Sequence, residues 1–359
     1  MPHPIGRPIT TPTISSAPCR VDMGGTLDLA TFYLPLQHLN PATFNLALDL
    51  RTRVRISPYK KGWVRVDSRG FESAEFPARE LPFAHPMGLM FGIAAFFDVS
   101  GVKIEIDSAS PPRSALGGSS VAAVALCAAF LSALEGVENG EALQTRAARI
   151  AQSVESAVAG VVCGIQDQMA AAFGGVSLWH WDGEGQHRHA SVFHGEEVDL
   201  APHIAVAYCG IPHDSLNVNS RWVKGFLSGS CRQEWHQIIQ LTHDFAESLG
   251  RQDWQGAAEL MNQETRIRVA MTPDVLDETG TRLGKIAEEH GCGARFTGAG
   301  GGGCLWMVGE ADAMVSARNA WKTSLEETPG ARLLPSGVAW SGVVIEPSDK
   351  IYEGEGLFQ

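Results

Sequence analysis

The sequence predicts an α+β protein built of two domains. Stretches with strand and helix periodicity are segregated along it instead of alternating strictly, unlike a regularly wound parallel sheet. Near Pro202 the chain changes character, from short alternating segments to long amphipathic ones. With 359 residues, 44% of them hydrophobic and 19% charged, it has length enough for two domains that share a groove. The domains read as residues 1–200 and 201–359.

In chain order, residues 1–18 look like a loose lead-in, with Pro2, Pro4 and Pro8 and a Thr/Ser-rich run. Residues 20–28 then begin a strand and a Gly turn. Residues 52–56, 63–66 and 102–106 alternate apolar and polar side chains, the period of half-buried strands. Residues 121–134 are apolar and Ala-rich enough for a buried helix, and 142–158 continue as a second. A short helix over 166–173 is ended by Gly174-Gly175, ahead of a strand at 176–179. Beyond Pro202 come a strand at 204–208 and helices over 232–249, 254–271 and 275–290. A Gly loop followed by a strand occupies 295–308, and 337–345 supplies a last strand.

Composition excludes several classes. A net charge of -12 with scattered basic residues argues against a nucleic-acid binder. The densest basic cluster, Arg51, Arg53 and Arg55, reads as the solvated face of a strand. Seven cysteines include no C-x-x-C pair, which fits a reducing compartment. No signal peptide is visible and the run from Val121 falls short of a membrane span, so a cytoplasmic protein without a membrane partner is expected. His187 and His189 read as part of a hairpin tip, not a metal site.

Three features carry chemistry. The stretch Pro111-Pro112-Arg113-Ser114-Ala115-Leu116-Gly117-Gly118-Ser119-Ser120 joins a strand to the start of a long helix. Small residues there let free first-turn amides approach an anion, helped by the helix dipole; the plainer alternative is a Ser cap after a Gly turn. The second is Arg295-Phe296-Thr297-Gly298-Ala299-Gly300-Gly301-Gly302-Gly303-Cys304. It contains G-x-G-x-x-G, but a dinucleotide site needs a strand before and a helix after, whereas here a helix precedes and a strand follows. Flanking apolar residues favour a ligand-approach loop over a linker. The third is a carboxylate pair, Glu155 and Asp167. Asp167 sits among apolar and amide side chains, where an acid must be paired or used.

Together these motifs resemble those of the GHMP kinases, the superfamily of galactokinase, homoserine kinase, mevalonate kinase and phosphomevalonate kinase. Arg20-Val21-Asp22-Met23-Gly24-Gly25-Thr26-Leu27-Asp28 is similar to the sugar-kinase opening segment, one residue shorter than usual. The central loop resembles P-x-x-x-G-L-G-S-S-A, and Thr297 to Cys304 resembles T-G-A-G-x-G-G-C. Cys163-Gly164-Ile165-Gln166-Asp167-Gln168 is similar to the galactokinase C-G-I-M-D-Q segment, and Gln166-Asp167-Gln168 through Gly174-Gly175 is closer still to the fucokinase and heptose-phosphate kinase branch. The central loop departs from the family at Arg113, Ala115 and Gly118, where Gly, Gly and Ser are usual.

The resemblance implies a two-domain GHMP kinase fold, its N-terminal half like domain 2 of ribosomal protein S5 and its C-terminal half a ferredoxin-like sandwich. It implies an ATP-dependent kinase whose acceptor is a sugar or sugar phosphate, phosphorylated at the anomeric hydroxyl. Leu116, Gly117, Gly118, Ser119 and Ser120 would wrap the triphosphate, and Ser119 with Glu155 would hold Mg²⁺. Asp167 would take the proton from the attacking hydroxyl, with Arg20 stabilising developing charge. Asp28, Gly25, Gly298, Gly300 and Gly301 would meet the acceptor. A monomer or homodimer is expected. Alternatives are a kinase for a non-sugar alcohol such as mevalonate, a non-catalytic ATP- and sugar-binding regulator, and an ATP-dependent decarboxylase.

Overall fold

One strand organises the first half of the molecule. Ala42–Pro58 runs for 17 residues and changes partners along its length. The computed structural model describes residues 6–160, 163–183, 187–193, 198–212, 215–335 and 337–347. Thr13–Met23 lies antiparallel along most of the long strand. On the other edge Val176–Trp181 pairs with its beginning and Val102–Ser108 with its end. Trp63–Ser68 adds parallel to Val102–Ser108, and Ala74–Pro77 pairs beyond it.

Thr13–Met23 is a buried strand where a loose lead-in was expected over its first residues. Alternation fails there because both faces are covered. Val54 and Ile56 point inward as their period requires, while Arg51, Arg53 and Arg55 take the other face. That face is not simply solvated. Arg51 donates to the carbonyls of Ser16, Ser341 and Gly342, and Arg53 pairs with Glu346 at 2.9 Å. These arginines hold the returning end of the chain, so that Val344–Ile345 pairs with Thr13–Met23. Residues 337–345 thus give a two-residue strand and an isolated bridge at Val338, completing the first sheet.

Helix Gly118–Glu135 covers this sheet, packed against Thr13–Met23 and Ala42–Pro58. By length and composition it is apolar enough to cross a membrane, yet residues 120–131 are all buried inside the protein, as in a core helix. Gly136 ends it in the left-handed conformation, its N–H bonding back to Leu131 and Ser132. Glu141–Ala159, Gln166–Phe173 and Gly88–Phe96 complete the layer. Gly88–Phe96 was not anticipated, because most of its residues are apolar and buried and no polar face marks it.

The second half is a four-stranded antiparallel sheet in the order Gly293–Phe296, Cys304–Val308, Ile204–Tyr208, Arg332–Leu334. Helices Arg232–Gly250 and Trp254–Met271 pack together, joined at Asp253, whose carboxylate caps the Gly256 amide. A second aspartate, Asp277, caps Gly280 and so splits the expected 275–290 helix into a turn, Pro273–Val275, and the helix Glu278–Glu289. Ser215–Ser228 and Ala311–Leu325 are further helices. A strand, not a helix, immediately precedes the second Gly loop, which is therefore the tip of a hairpin. The halves meet through aromatic packing: Phe44 lies 5.0 Å from Phe245 and 6.3 Å from Trp306. We propose residue 200 as the dividing point, with Val344–Ile345 crossing back over it.

Candidate active site

A cleft of about 1280 Å³ opens where the two halves meet. The end of strand Thr13–Met23 brings Arg20 to its floor, with Asp22 buried behind it. Helices of the first half line it: Gly118–Glu135 and Gln166–Phe173 with their first turns, Glu141–Ala159 with Glu155 near its last turn, and Gly88–Phe96 with Leu89 and Met90. From the second half come the tip of the Gly hairpin, at Gly298 and Ala299, and one face of helix Ser215–Ser228.

At the centre Arg20 grips Asp167. Its Nε and Nη2 both donate to Asp167 Oδ1, at 2.8 and 2.6 Å. No hydrogen bond reaches Oδ2 among the described residues. That oxygen lies over Gly117, where a Cβ would come within 3.3 Å of it. Arg20 itself is 3% exposed and cannot swing away, because Nη1 donates to the Ala115 carbonyl at 2.8 Å and faces Asp22 at 3.3 Å. Asp167 is 24% exposed and open to the cleft.

The central loop does begin the long helix, and no side chain caps it: Gly117 is the cap residue, in the left-handed conformation. The Ser cap of the plainer reading is therefore absent, and the first-turn amides point into the cleft. Leu116 contributes backbone only, its side chain being fully buried and its carbonyl accepting from the Arg20 amide. Arg113 and Ala115 both have positive φ, 52° and 61°. These are two of the positions where the resemblance expects Gly; the loop keeps a glycine-like path without the glycines, at a cost of about 1 kcal/mol or more each.

Ser119 and Ser120 turn their hydroxyls to Glu155, at 3.0 and 2.8 Å, and Gln168 donates to the same carboxylate at 2.6 Å. Burial pushes Glu155 above its ordinary pKa, with Asp167 adding to the effect; the three neutral donors offset it only in part. An all-oxygen set of one carboxylate and two hydroxyls suits Mg²⁺, which takes few protein ligands and keeps its waters and phosphates.

Asp28 reaches the cleft wall, and its Oδ2 accepts the Gln166 amide at 3.0 Å. It thereby caps, from another element, the helix that carries Asp167. Gly164 makes room: a Cβ there would fall 1.6 Å from Asp28 Oδ2. Burial raises Asp28 to about 6. Of the glycines singled out in the sequence, Gly298 lines the cleft and donates its N–H to Asp22 Oδ1 at 2.6 Å. Gly300 and Gly301 instead dock on Val275, and Gly25 packs against Asp22 while its carbonyl accepts from Arg268.

Behind the cleft runs a line of buried charges that the motifs did not reveal. Asp22 accepts from Arg295 at 3.2 Å, Arg295 pairs with Glu264 at 2.8 Å, and Glu264 with Arg268 at 2.8 Å, every one of these side chains 0% exposed. Arg268 ends the line between the rings of Trp222 and Trp235, 4.6 and 4.5 Å away. The line ties Arg20 in the first half to helix Trp254–Met271 in the second.

Comparison with known proteins matches this construction. A model of the GHMP kinase N-terminal domain matches residues 88–175, and one of the GHMP kinase C-terminal domain matches residues 245–327. Glucuronokinase 1 of Arabidopsis thaliana is 29% identical over 211 residues, so the match spans about half of each protein, 55% of this chain and 55% of that one. Galactokinase of Lactococcus lactis, complexed with galactose, shares the fold with a TM-score of 0.73 at 17% identity, over 94% of this chain and 95% of that one. A D-glycero-D-manno-heptose 1-phosphate kinase from Bacteriodes thetaiotaomicron does so with a TM-score of 0.70 at 16% identity, over 93% and 99%. With both domain models matched in order, the chain carries the N- and C-terminal domains of the GHMP kinases, on a fold shared along nearly its whole length with solved structures of that kind.

Proposed function

We propose that the protein transfers the γ-phosphoryl group of ATP to a hydroxyl of a sugar or sugar phosphate, the anomeric C1 hydroxyl. The observation that carries this reading is Asp167: Oδ1 is held by two nitrogens of Arg20, and Oδ2 is left uncommitted beside an uncapped helix start. That is the arrangement a base needs next to a triphosphate. The amides of residues 117–120 cradle the phosphates, and the hydroxyl to be phosphorylated lies between Oδ2 and the γ-phosphorus. As the new O–P bond forms and the bridging bond to ADP breaks, Oδ2 takes the hydroxyl proton. Arg20 stabilises charge on the transferring group, and Asp28 orients the acceptor while holding the helix of Asp167 in place.

Glu155, Ser119 and Ser120 would hold Mg²⁺ on the nucleotide, where the ion neutralises phosphate charge. The name of the curated relative, a glucuronokinase, favours a sugar over a non-sugar alcohol as acceptor. Seven cysteines with no disulfide among the described residues suit a reducing cytoplasm. ADP release from Mg²⁺-ATP, measured against free and phosphorylated sugars with mevalonate and homoserine as controls, tests the reading. A sugar-dependent signal lost in Asp167→Asn supports it; turnover of mevalonate alone, or wild-type turnover in Asp167→Asn, overturns it.

A further inference from the structure

The cleft is lined by the cations Arg20, Arg69, Arg113 and Lys224. Arg20 is committed to Asp167 and Asp22, and Arg69 to Asp107. Arg113 belongs to the central loop, beside the phosphate cradle. Lys224 stands on the wall built by the second half, and no carboxylate of the described residues pairs with it.

Its place follows from helical period. Asn219, Ser220, Val223 and Lys224 of helix Ser215–Ser228 line the cleft, at positions i, i+1, i+4 and i+5, whereas Val218, Trp222 and Phe226 are buried on the far side. The intervening Arg221 is spent on Asp274. Thr26 donates to Asn219 Oδ1 at 3.3 Å, tying the helix to the turn that carries Asp28. With a rise of about 1.5 Å per residue, Lys224 lies about 7 Å along the helix from that tie. It therefore belongs to the acceptor end of the cleft.

An exposed lysine is ordinarily a solvated charge. This one lines a concave wall whose other charged groups near the acceptor are Asp28, Asp167 and Arg20, and the charge of Arg20 is already matched by Asp167 and Asp22. A neutral acceptor has no use for a cation there. A negatively charged acceptor meets two carboxyl groups and a guanidinium already committed to carboxylates, and gains from an unpaired cation.

Resting on the sugar-kinase reading above, we propose that Lys224 forms a subsite for an anionic group on the acceptor, so that the acceptor is a sugar bearing a carboxylate or a phosphate apart from the hydroxyl that reacts. The group is recognised as a point charge, in keeping with an ammonium on a flexible stem.

Matched pairs of acceptors test this: glucuronic acid and glucose 6-phosphate against glucose, galacturonic acid against galactose, and mannose 6-phosphate against mannose. Wild-type protein prefers the anionic member, and the carboxylate and phosphate arms show which anion it takes. In Lys224→Gln the acceptor KM rises about tenfold or more and the preference collapses, while the KM for Mg²⁺-ATP does not change. Lys224→Arg keeps most of the preference. Preference for the neutral members overturns the subsite, as does a Lys224→Gln effect confined to ATP, which assigns the lysine to the triphosphate. Calorimetric titration of the same sugars separates this proposal from the kinase reading. Binding of an anionic sugar that depends on Lys224 without turnover keeps the subsite and sinks the kinase. Absence of both binding and turnover for every anionic member sinks the subsite.

Discussion

Two sets of charges meet at Arg20, and they are built on opposite principles. Behind the cleft, Glu264 is fully buried; burial pushes its pKa up, but the guanidiniums of Arg295 and Arg268 outweigh that and hold it below the ordinary value. Beside the cleft, Glu155 is pushed up by burial and stays there, because its partners are two hydroxyls and an amide. In the first set every carboxylate has its cation. The second is short of positive charge and still has accepting capacity. The comparison separates charges that hold geometry from charges left free to act on a ligand.

Substitutions on either side sharpen that separation. The largest effect is expected at Asp167: Asp167→Asn lowers kcat by about 10²- to 10⁴-fold, with ATP affinity and unfolding midpoint close to wild type, in steady-state assays, nucleotide titration and urea unfolding. A similar kcat with a lowered midpoint would place Asp167 in the structural set. Glu264→Gln shows the reverse. It leaves buried Arg268 without a carboxylate and Arg295 with Asp22 alone, and costs about 3–5 kcal/mol of stability in denaturant unfolding, with a far smaller fall in turnover per folded molecule.

An intermediate effect belongs to pH. Asp28 titrates near 6 instead of 3.8, because burial penalises its charged form. A raised acid pKa means that folding favours the proton, so stability declines as pH rises from 3.8 to about 6. Acceptor binding runs the other way, since only the carboxylate accepts fully from sugar hydroxyls. The acceptor KM should rise as pH falls through about 6 while the KM for ATP stays level; a flat acceptor profile removes Asp28 from the acceptor site. The smallest effect is at the central loop. Ala115→Gly relieves a left-handed alanine and raises stability by up to about 1 kcal/mol in urea unfolding, net of the entropy that Gly adds to the unfolded chain.

The active-facing set was legible in the sequence because spacing preserves it. Arg20 and Asp167 stand in short motifs that include small residues, and Glu155 is marked by its spacing from Asp167. The buried line was not legible, for a physical reason. Glu264 and Arg268 are four apart on helix Trp254–Met271, a spacing that also marks an ordinary solvated pair. Only the packing of that helix against Gly293–Phe296 and the two tryptophans turns it inward. Asp22 sits inside the opening motif, yet its link to Arg295 spans 273 positions of chain. The same limit hid helix Gly88–Phe96 and the buried start of Thr13–Met23, where residues covered all round show no period.

The contact between Asp28 and the Gln166 amide bears on how this protein can change. On the proposed reading one carboxylate both faces the acceptor and anchors the helix that aims the base, and Gly164 has no room for anything larger beside it. New acceptors cannot be reached by varying residue 28, since any replacement that alters what it recognises also misaims Asp167. Diversification is left to the opposite wall, where Asn219, Ser220 and Lys224 hang from a helix that the chemistry does not touch. A library aimed there can search acceptors while turnover survives.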